Sequence, residues 1–125
     1  LSDKVRFIGF IPSLAAAYQD ADVLVYPSTY EIFGLVPFEA LLCGTPVIVT
    51  DDCGCGELIK EAECGYLVHY GDVAGLAETL RSALEHPDAN RGMVEAGRQY
   101  VEERLAWESV VKRVEAMYED CVRHV

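Results

Sequence analysis

The sequence predicts an α/β fold: a parallel sheet with flanking helices and a helical C-terminal part. Three observations carry this prediction. Short apolar runs without polar alternation, such as VLVY at 23–26, are the pattern of strands covered on both faces. These runs alternate with helix-like stretches as far as residue 69. Beyond that point the chain reads as helices alone.

In order, residues 5–8 (VRFI) read as a first strand ending at Gly9. Phe10, Ile11 and Pro12 leave it, and Ser13 is placed to cap a helix over 14–19. Ala15, Ala16 and Ala17 favour that helix strongly. The strand at 23–26 follows, then a helix over 35–42 that Gly44 and Pro46 close. A strand is expected at 47–50, a glycine-containing loop at 51–56, a helical turn at 57–60 and a strand at 66–69. Asp72 caps a helix carrying Leu76, Leu80 and Leu84, which stops before Pro87. A second helix is expected over 90–104 and a third over 107–123. The third places Val110, Val111, Val114, Met117, Tyr118 and Cys121 on one apolar face. Right-handed crossovers would bring 9–12, 27–34 and 51–56 to the C-terminal edge of the sheet. Ligands of such folds bind there.

The 125 residues suit one domain, and 51% hydrophobic content is ample for a core. No apolar run reaches the roughly 18 residues of a membrane span, and no signal-peptide pattern opens the chain. Leu1 in place of an initiator Met leads us to expect a fragment or a processed chain. A net charge of −11 argues against a nucleic-acid surface. Five cysteines, an odd number without a secretory signal, suggest reduced thiols and a cytoplasmic setting. Cys53 and Cys55 form the one close pair, and no second pair completes a metal site, so no metal is expected.

The stretch 27–46 (PSTYEIFGLVPFEALLCGTP) holds the most chemical information. It joins a strand to a helix through Gly34. Gly34, Leu35 and Val36 open the helix, so their N–H groups lack intrahelical partners and make an anion site with the helix dipole. Pro37 fits the first turn, where a missing N–H costs nothing. A diphosphate is the natural guest. No Lys or Arg lies between Arg6 and Lys60, so cationic help must come from elsewhere. Glu39 would stand beside the guest, able to accept hydrogen bonds from ribose hydroxyls. Glu31 lies in the loop. Eight steps of continuous helix rise about 12 Å, whereas glycosidase carboxylates sit roughly 5–9.5 Å apart, so Glu31 and Glu39 are read as doing different jobs. By spacing alone, both glutamates and Gly34 also fit a plain helix start and turn.

EIFGLVPFE resembles the E-x7-E motif of retaining GT-B glycosyltransferases, in particular glycosyltransferase family 4. The similarity continues on both sides. FIGFIP is similar to the family's F-x-G-x-[VI] segment, and YQDADVLVYPS to Y-x-x-AD-x-x-x-x-PS. EALLCGTPVIVTD, GELI and CGYLV resemble its later pieces. In series these are highly specific, and they cover the chain from Val5 onward.

The resemblance implies a Rossmann-like sheet: the later part of a C-terminal domain that binds a nucleotide-diphosphate sugar donor. It implies that Glu31 acts near the donor sugar and reacting centre. Phe33, Gly34, Leu35 and Val36 would supply backbone contacts to sugar and diphosphate, Glu39 would hold the ribose, and Phe10 and Ile11 would meet the nucleobase. It further implies a missing N-terminal acceptor domain and missing cationic residues from the first part of the donor domain. The isolated fragment is therefore expected to be inactive and to self-associate through its uncovered surfaces. No cofactor is implied, and peripheral membrane association of the full-length enzyme stays open. Cys53 and Gly56 depart from the family's Gly and Pro at the later loop. The alternative is a non-catalytic nucleotide-sugar binding or interaction module. A nucleotide-sugar epimerase has less support, since no His or acid pair suits ring chemistry. His69, His86 and His124 are scattered, Trp107 reads as a packing anchor, and Tyr26 as a core strand residue.

Overall fold

The computed structural model describes residues 3–124. Their element order is α1 (Leu14–Gln19), β1 (Leu24–Tyr26), α2 (Leu35–Cys43), β2 (Val47–Thr50), α3 (Gly54–Glu61), β3 (Tyr66–Val68), α4 (Val73–Glu85), α5 (Pro87–Tyr100) and α6 (Trp107–Arg123). A π-helical turn, Val101–Leu105, links the last two helices. The strands form one parallel sheet in the order β1-β2-β3. Leu24 faces Val47 in register, and Ile48 faces Tyr66. The predicted α/β class and parallel sheet are thus what the chain adopts.

β2 explains why the sheet holds. Val47, Ile48 and Val49 have no exposed surface, and successive side chains of a strand point to opposite faces. Val47 and Val49 pack with Phe38 and Leu41 of α2, Ile59 of α3 and Val94 of α5. Ile48 packs on the other face with Val25, Val68 and Leu76, Leu80 and Ala83 of α4. Burying each such aliphatic side chain contributes about 1.5–3 kcal/mol. Helices therefore cover both faces, as the unalternating apolar runs require. Polar ties complete the layer: Tyr66 Oη donates to Asn90 Oδ1 at 2.9 Å, and Asn90 Nδ2 donates to the Ala83 carbonyl at 2.7 Å.

Trp107, expected to be a packing anchor, is 79% exposed, and Ser13 precedes α1 without a side-chain capping hydrogen bond. Four further expectations need correction. Residues 5–8 are not a strand. Their side chains are exposed, Phe7 at 99%, and a strand exists only through a neighbour that takes its N–H and C=O groups. Among the described residues none does so. Segment 9–12 is consequently not placed by a strand end. Second, α3 starts at Gly54 rather than at 57, so the glycines assigned to a loop form its first turn. Third, α5 starts at Pro87, where proline suits a helix's first position. Fourth, that helix does not run on to 104 in one geometry. After Tyr100 it widens, with the Ala106 N–H reaching the Val101 carbonyl at 2.8 Å.

α6 has the amphipathic spacing the sequence predicts, but none of its residues is buried. Val111, Val114, Met117, Tyr118 and Val122 are exposed. It is tied to the preceding turn, with Ser109 Oγ donating to the Glu102 carbonyl at 3.1 Å and Arg113 Nη2 to the Arg104 carbonyl at 2.7 Å. No described helix is long and apolar enough to cross a membrane.

Candidate functional site

The site forms where β1 and β2 end. Loop 27–34 leaves β1 and enters α2, and 51–53 leaves β2 and enters α3. Two contacts bind these loops together. The buried Thr50 hydroxyl donates to the Ser28 carbonyl. The Gly54 N–H donates to the Glu31 carbonyl at 3.0 Å. Gly54 must be glycine for this approach, because a Cβ there would lie 1.8 Å from the Ile32 carbonyl oxygen. Gly56 is similarly close, 2.2 Å from the Thr50 carbonyl for an added Cβ. That closeness belongs to the segment where the chain departs from the family's proline.

Gly34 caps α2 in the left-handed region, φ 77°, a conformation that L side chains rarely adopt. An added Cβ would also sit 3.0 Å from both Cys55 Sγ and Glu31 Cγ. Neither Gly34 at the start of α2 nor Cys53 at the start of α3 caps its helix with a side-chain hydrogen bond. The first N–H of α3, that of Gly54, is taken by the Glu31 carbonyl, whereas the leading N–H groups of α2 have no intrahelical acceptors and no side-chain cap. Such a place favours an anion.

Glu31 is half-buried at this corner. Its Oε2 accepts a hydrogen bond from Tyr26 Oη at 2.8 Å. That bond to a carboxylate, with burial adding to it, pushes the Tyr26 hydroxyl up to about 12. Glu39 lies on the exposed side of α2. Tyr18 Oη approaches its Oε2 at a longer 3.4 Å, and burial, then Glu39, raises the Tyr18 hydroxyl above its usual value. Glu39 borders an open cavity of ≈ 350 Å³ with Leu14, Ala15, Tyr18, Leu42 and Cys43.

The structure brings Glu31, Gly34, Leu35 and Val36 together where α2 starts. Leu35 is exposed at 62%, and the Phe33 ring lies 5.9 Å from that of Phe38. Phe10 is exposed at 91% and Ile11 is half-buried. They precede α1, whose Leu14 lines the cavity beside Glu39. Sequence reasoning missed Tyr26 and Tyr18 as partners of the two glutamates. A signal for Tyr26 existed: a tyrosine ending a strand five residues before the loop carboxylate.

Cys53 and Cys55 are buried, their sulfurs 3.3 Å apart. Burial, then the hydrogen bond with Cys53, pushes the Cys55 thiol up to about 12. That direction disfavours the reactive thiolate. Among the described residues no cluster of three or more His, Cys, Asp or Glu could hold a metal ion. His69 is exposed and lies 3.3 Å from Asp51 Oδ1.

Fold and site together define an α/β domain with an anion-ready helix start at the C-terminal edge of its sheet and a held carboxylate beside it. Comparison with known proteins gives that class its family. The chain belongs to the glycosyl transferases group 1 family, whose sequence model matches residues 1–100. It is 34% identical over 123 residues to the N-acetyl-alpha-D-glucosaminyl L-malate synthase of Bacillus anthracis, covering 98% of this chain and 32% of that protein. It is 36% identical over 115 residues to the glycogen synthase of Mycobacterium tuberculosis H37Rv, covering 90% of this chain and 28% of that one. Among solved structures, the sucrose-phosphate synthase of Thermosynechococcus elongatus superposes with a TM-score of 0.83 at 35% identity, over 98% of this chain and 31% of that one. Anabaena HepE, solved in complex with UDP, shares the fold with a TM-score of 0.84 at 22% identity, over 95% of this chain and 33% of that one. The fold is that of GT-B glycosyltransferases. The chain thus spans about a third of the length of these relatives.

Proposed function

We propose that this chain is the donor-binding part of a retaining, family 4 glycosyltransferase, lying in the C-terminal half of a GT-B enzyme. In that enzyme it would bind a nucleotide-diphosphate sugar, and a separate N-terminal domain would bring the acceptor. The observation that carries this reading is the start of α2, where Gly34 opens the helix at φ 77° and Glu31 is hydrogen-bonded alongside.

The mechanism follows from that geometry. The diphosphate sits against the leading N–H groups of α2, from Gly34 through Val36, with Phe33 at the entry. These donors are fixed before reaction, so they stabilise the charge that collects on the leaving diphosphate without reorganising. Glu31 supplies a negative charge near the anomeric carbon as that carbon becomes positive. Glu39, on the open side of α2, accepts hydrogen bonds from the ribose, and Phe10 and Ile11 meet the base. Cationic groups outside this chain complete the neutralisation of the diphosphate, and this segment alone transfers no sugar. The cytoplasm is the compartment that suits its free thiols.

The test is transfer by the full-length protein. Incubated with UDP-glucose, UDP-N-acetylglucosamine or GDP-mannose and a panel of acceptors, it should yield a glycoside whose anomeric configuration, read by the one-bond C1–H1 NMR coupling, matches the donor. A product of inverted configuration would overturn the retaining assignment. Turnover by residues 1–125 alone would overturn the division of labour between domains.

A further inference from the structure

The loop carboxylate does not stand alone. Tyr26 closes β1, where its backbone pairs in register with Val49 of the fully buried central strand. The backbone that carries its ring is therefore fixed by pairing with a strand buried along its whole length. From there Tyr26 Oη donates to Glu31 Oε2 at 2.8 Å. The main chain of Glu31 is held independently, by the Gly54 N–H at 3.0 Å from the other loop. One tether fixes where the residue is, and the other fixes where its carboxylate points.

A carboxylate on two methylenes otherwise samples several rotamers. Electrostatic stabilisation requires a charge already in place when the reacting carbon becomes positive. A half-buried site makes a hydrogen bond to an ionised acceptor stronger than a neutral one. The remaining Glu31 oxygen, Oε1, has no hydrogen-bond partner among the described residues, which leaves it available to a ligand.

We propose that Tyr26 is a positioning residue for the reaction: its hydroxyl fixes the Glu31 carboxylate toward the donor sugar while leaving nucleotide binding to the start of α2. This inference rests on the reading of Glu31 as the carboxylate beside the sugar. It assigns a task to a residue that otherwise reads as strand core.

The experiment uses full-length protein carrying Tyr26→Phe, Glu31→Gln or both. Release of the nucleoside diphosphate from whichever of UDP-glucose, UDP-N-acetylglucosamine and GDP-mannose the wild type consumes gives kcat and KM. Calorimetry with the corresponding UDP or GDP gives nucleotide affinity, and thermal melting gives stability. Tyr26→Phe should lower kcat about tenfold or more, with nucleotide affinity essentially unchanged and only a small fall in melting temperature from the lost hydrogen bond. On the Glu31→Gln background it should add little further loss, because the two residues act as one unit. Native kcat in Tyr26→Phe, with Glu31→Gln impaired, overturns the positioning role and leaves the reading of Glu31 standing. Native kcat in Glu31→Gln overturns both. A Tyr26→Phe loss that falls equally on nucleotide affinity and melting temperature makes Tyr26 a structural tie and overturns the proposal. So does a full additional loss on the Glu31→Gln background.

Discussion

Glu31 and Glu39 stand only eight positions apart, yet the fold treats them differently. Glu31 is half-buried in a corner made by two loops, held through its carbonyl by Gly54 and through its carboxylate by Tyr26. Glu39 is exposed on α2, beside an open cavity, with Tyr18 at a longer 3.4 Å. The first arrangement sets the direction of a charge in advance. The second leaves a charge with most of its hydrogen-bonding capacity for whatever arrives. Catalysis rewards the first, because only interactions that strengthen in the transition state accelerate the reaction. Ground-state recognition is served by the second.

The largest effect should come from breaking the corner that makes the two sites different. In Gly54→Ala the new methyl would lie 1.8 Å from the Ile32 carbonyl oxygen, a clash with backbone rather than with the end of a flexible side chain. The two loops must part, and the Gly54–Glu31 tether goes with them. We expect near-complete loss of transfer by the full-length enzyme and a stability loss of about 1–3 kcal/mol. Gly92→Ala is the matched control. A Cβ there meets nothing within 4 Å, on the exposed face of α5, and should stabilise by about 0.5–1 kcal/mol. Denaturant titration with activity measured in parallel checks both. A Gly54→Ala enzyme with native turnover would mean that the corner is not needed.

Next comes the charge itself. Glu31→Gln keeps shape and removes charge, and should lower kcat about a hundredfold or more with little change in donor KM. Glu39→Ala should do the reverse, raising donor KM by about tenfold to a hundredfold with a smaller change in kcat. Steady-state kinetics with donor varied at saturating acceptor separates the two. Equal shifts of both parameters in both variants would erase the contrast between the two glutamates.

How much of this was legible beforehand follows from what each feature depends on. β2 was readable because VIVT is buried by its own composition whichever helices cover it. The start of α2 was readable because Gly34 and Pro37 constrain the backbone locally. Residues 5–8 are just as apolar, but a strand depends on a neighbour, and composition cannot say whether one is adjacent. α3 was placed three residues late because Gly54 and Gly56 read as loop residues. Their real reason for being glycine is the approach of the Ile32 and Thr50 carbonyls, a contact between distant segments. The widened turn at Val101–Leu105 leaves no pattern to read, since its residues are ordinary helix formers. The apolar face of α6 was predicted correctly, while its exposure is a matter of what surrounds it. At the site, the residue types were legible and the partnerships were not. Tyr26 reaches Glu31 through the path of a loop, and no periodicity encodes that.

The smallest effect in size, and the most direct report on the contrast, is the ionisation of Tyr26. An ordinary tyrosine has the value 10.0, and the hydrogen bond to Glu31, with burial second, pushes Tyr26 up to about 12. The charges and titrating groups that act on it are Glu31, Cys55 and Cys53, each raising its value. The folded state therefore holds this proton more tightly than the unfolded chain does. Its contribution to stability is complete below about pH 10 and is lost as the pH rises through about 12, so stability should fall with rising pH across that window. Absorbance at 295 nm should show tyrosines ionising near their usual value and a late group completing near 12, with Tyr26→Phe removing part of the late amplitude. Tyr18 and Tyr100 are also raised, which is why the difference spectrum against Tyr26→Phe is the quantity to read. In Glu31→Gln the largest cause of the shift disappears, and Tyr26 should titrate closer to 10. In Glu39→Ala it should not move, because Glu39 acts on Tyr18 and is not among the groups that raise Tyr26. A Tyr26 titration indifferent to Glu31→Gln would mean that the 2.8 Å hydrogen bond is not held in solution. The two glutamates would then be equally free, and the distinction between a placed charge and an open one would fall.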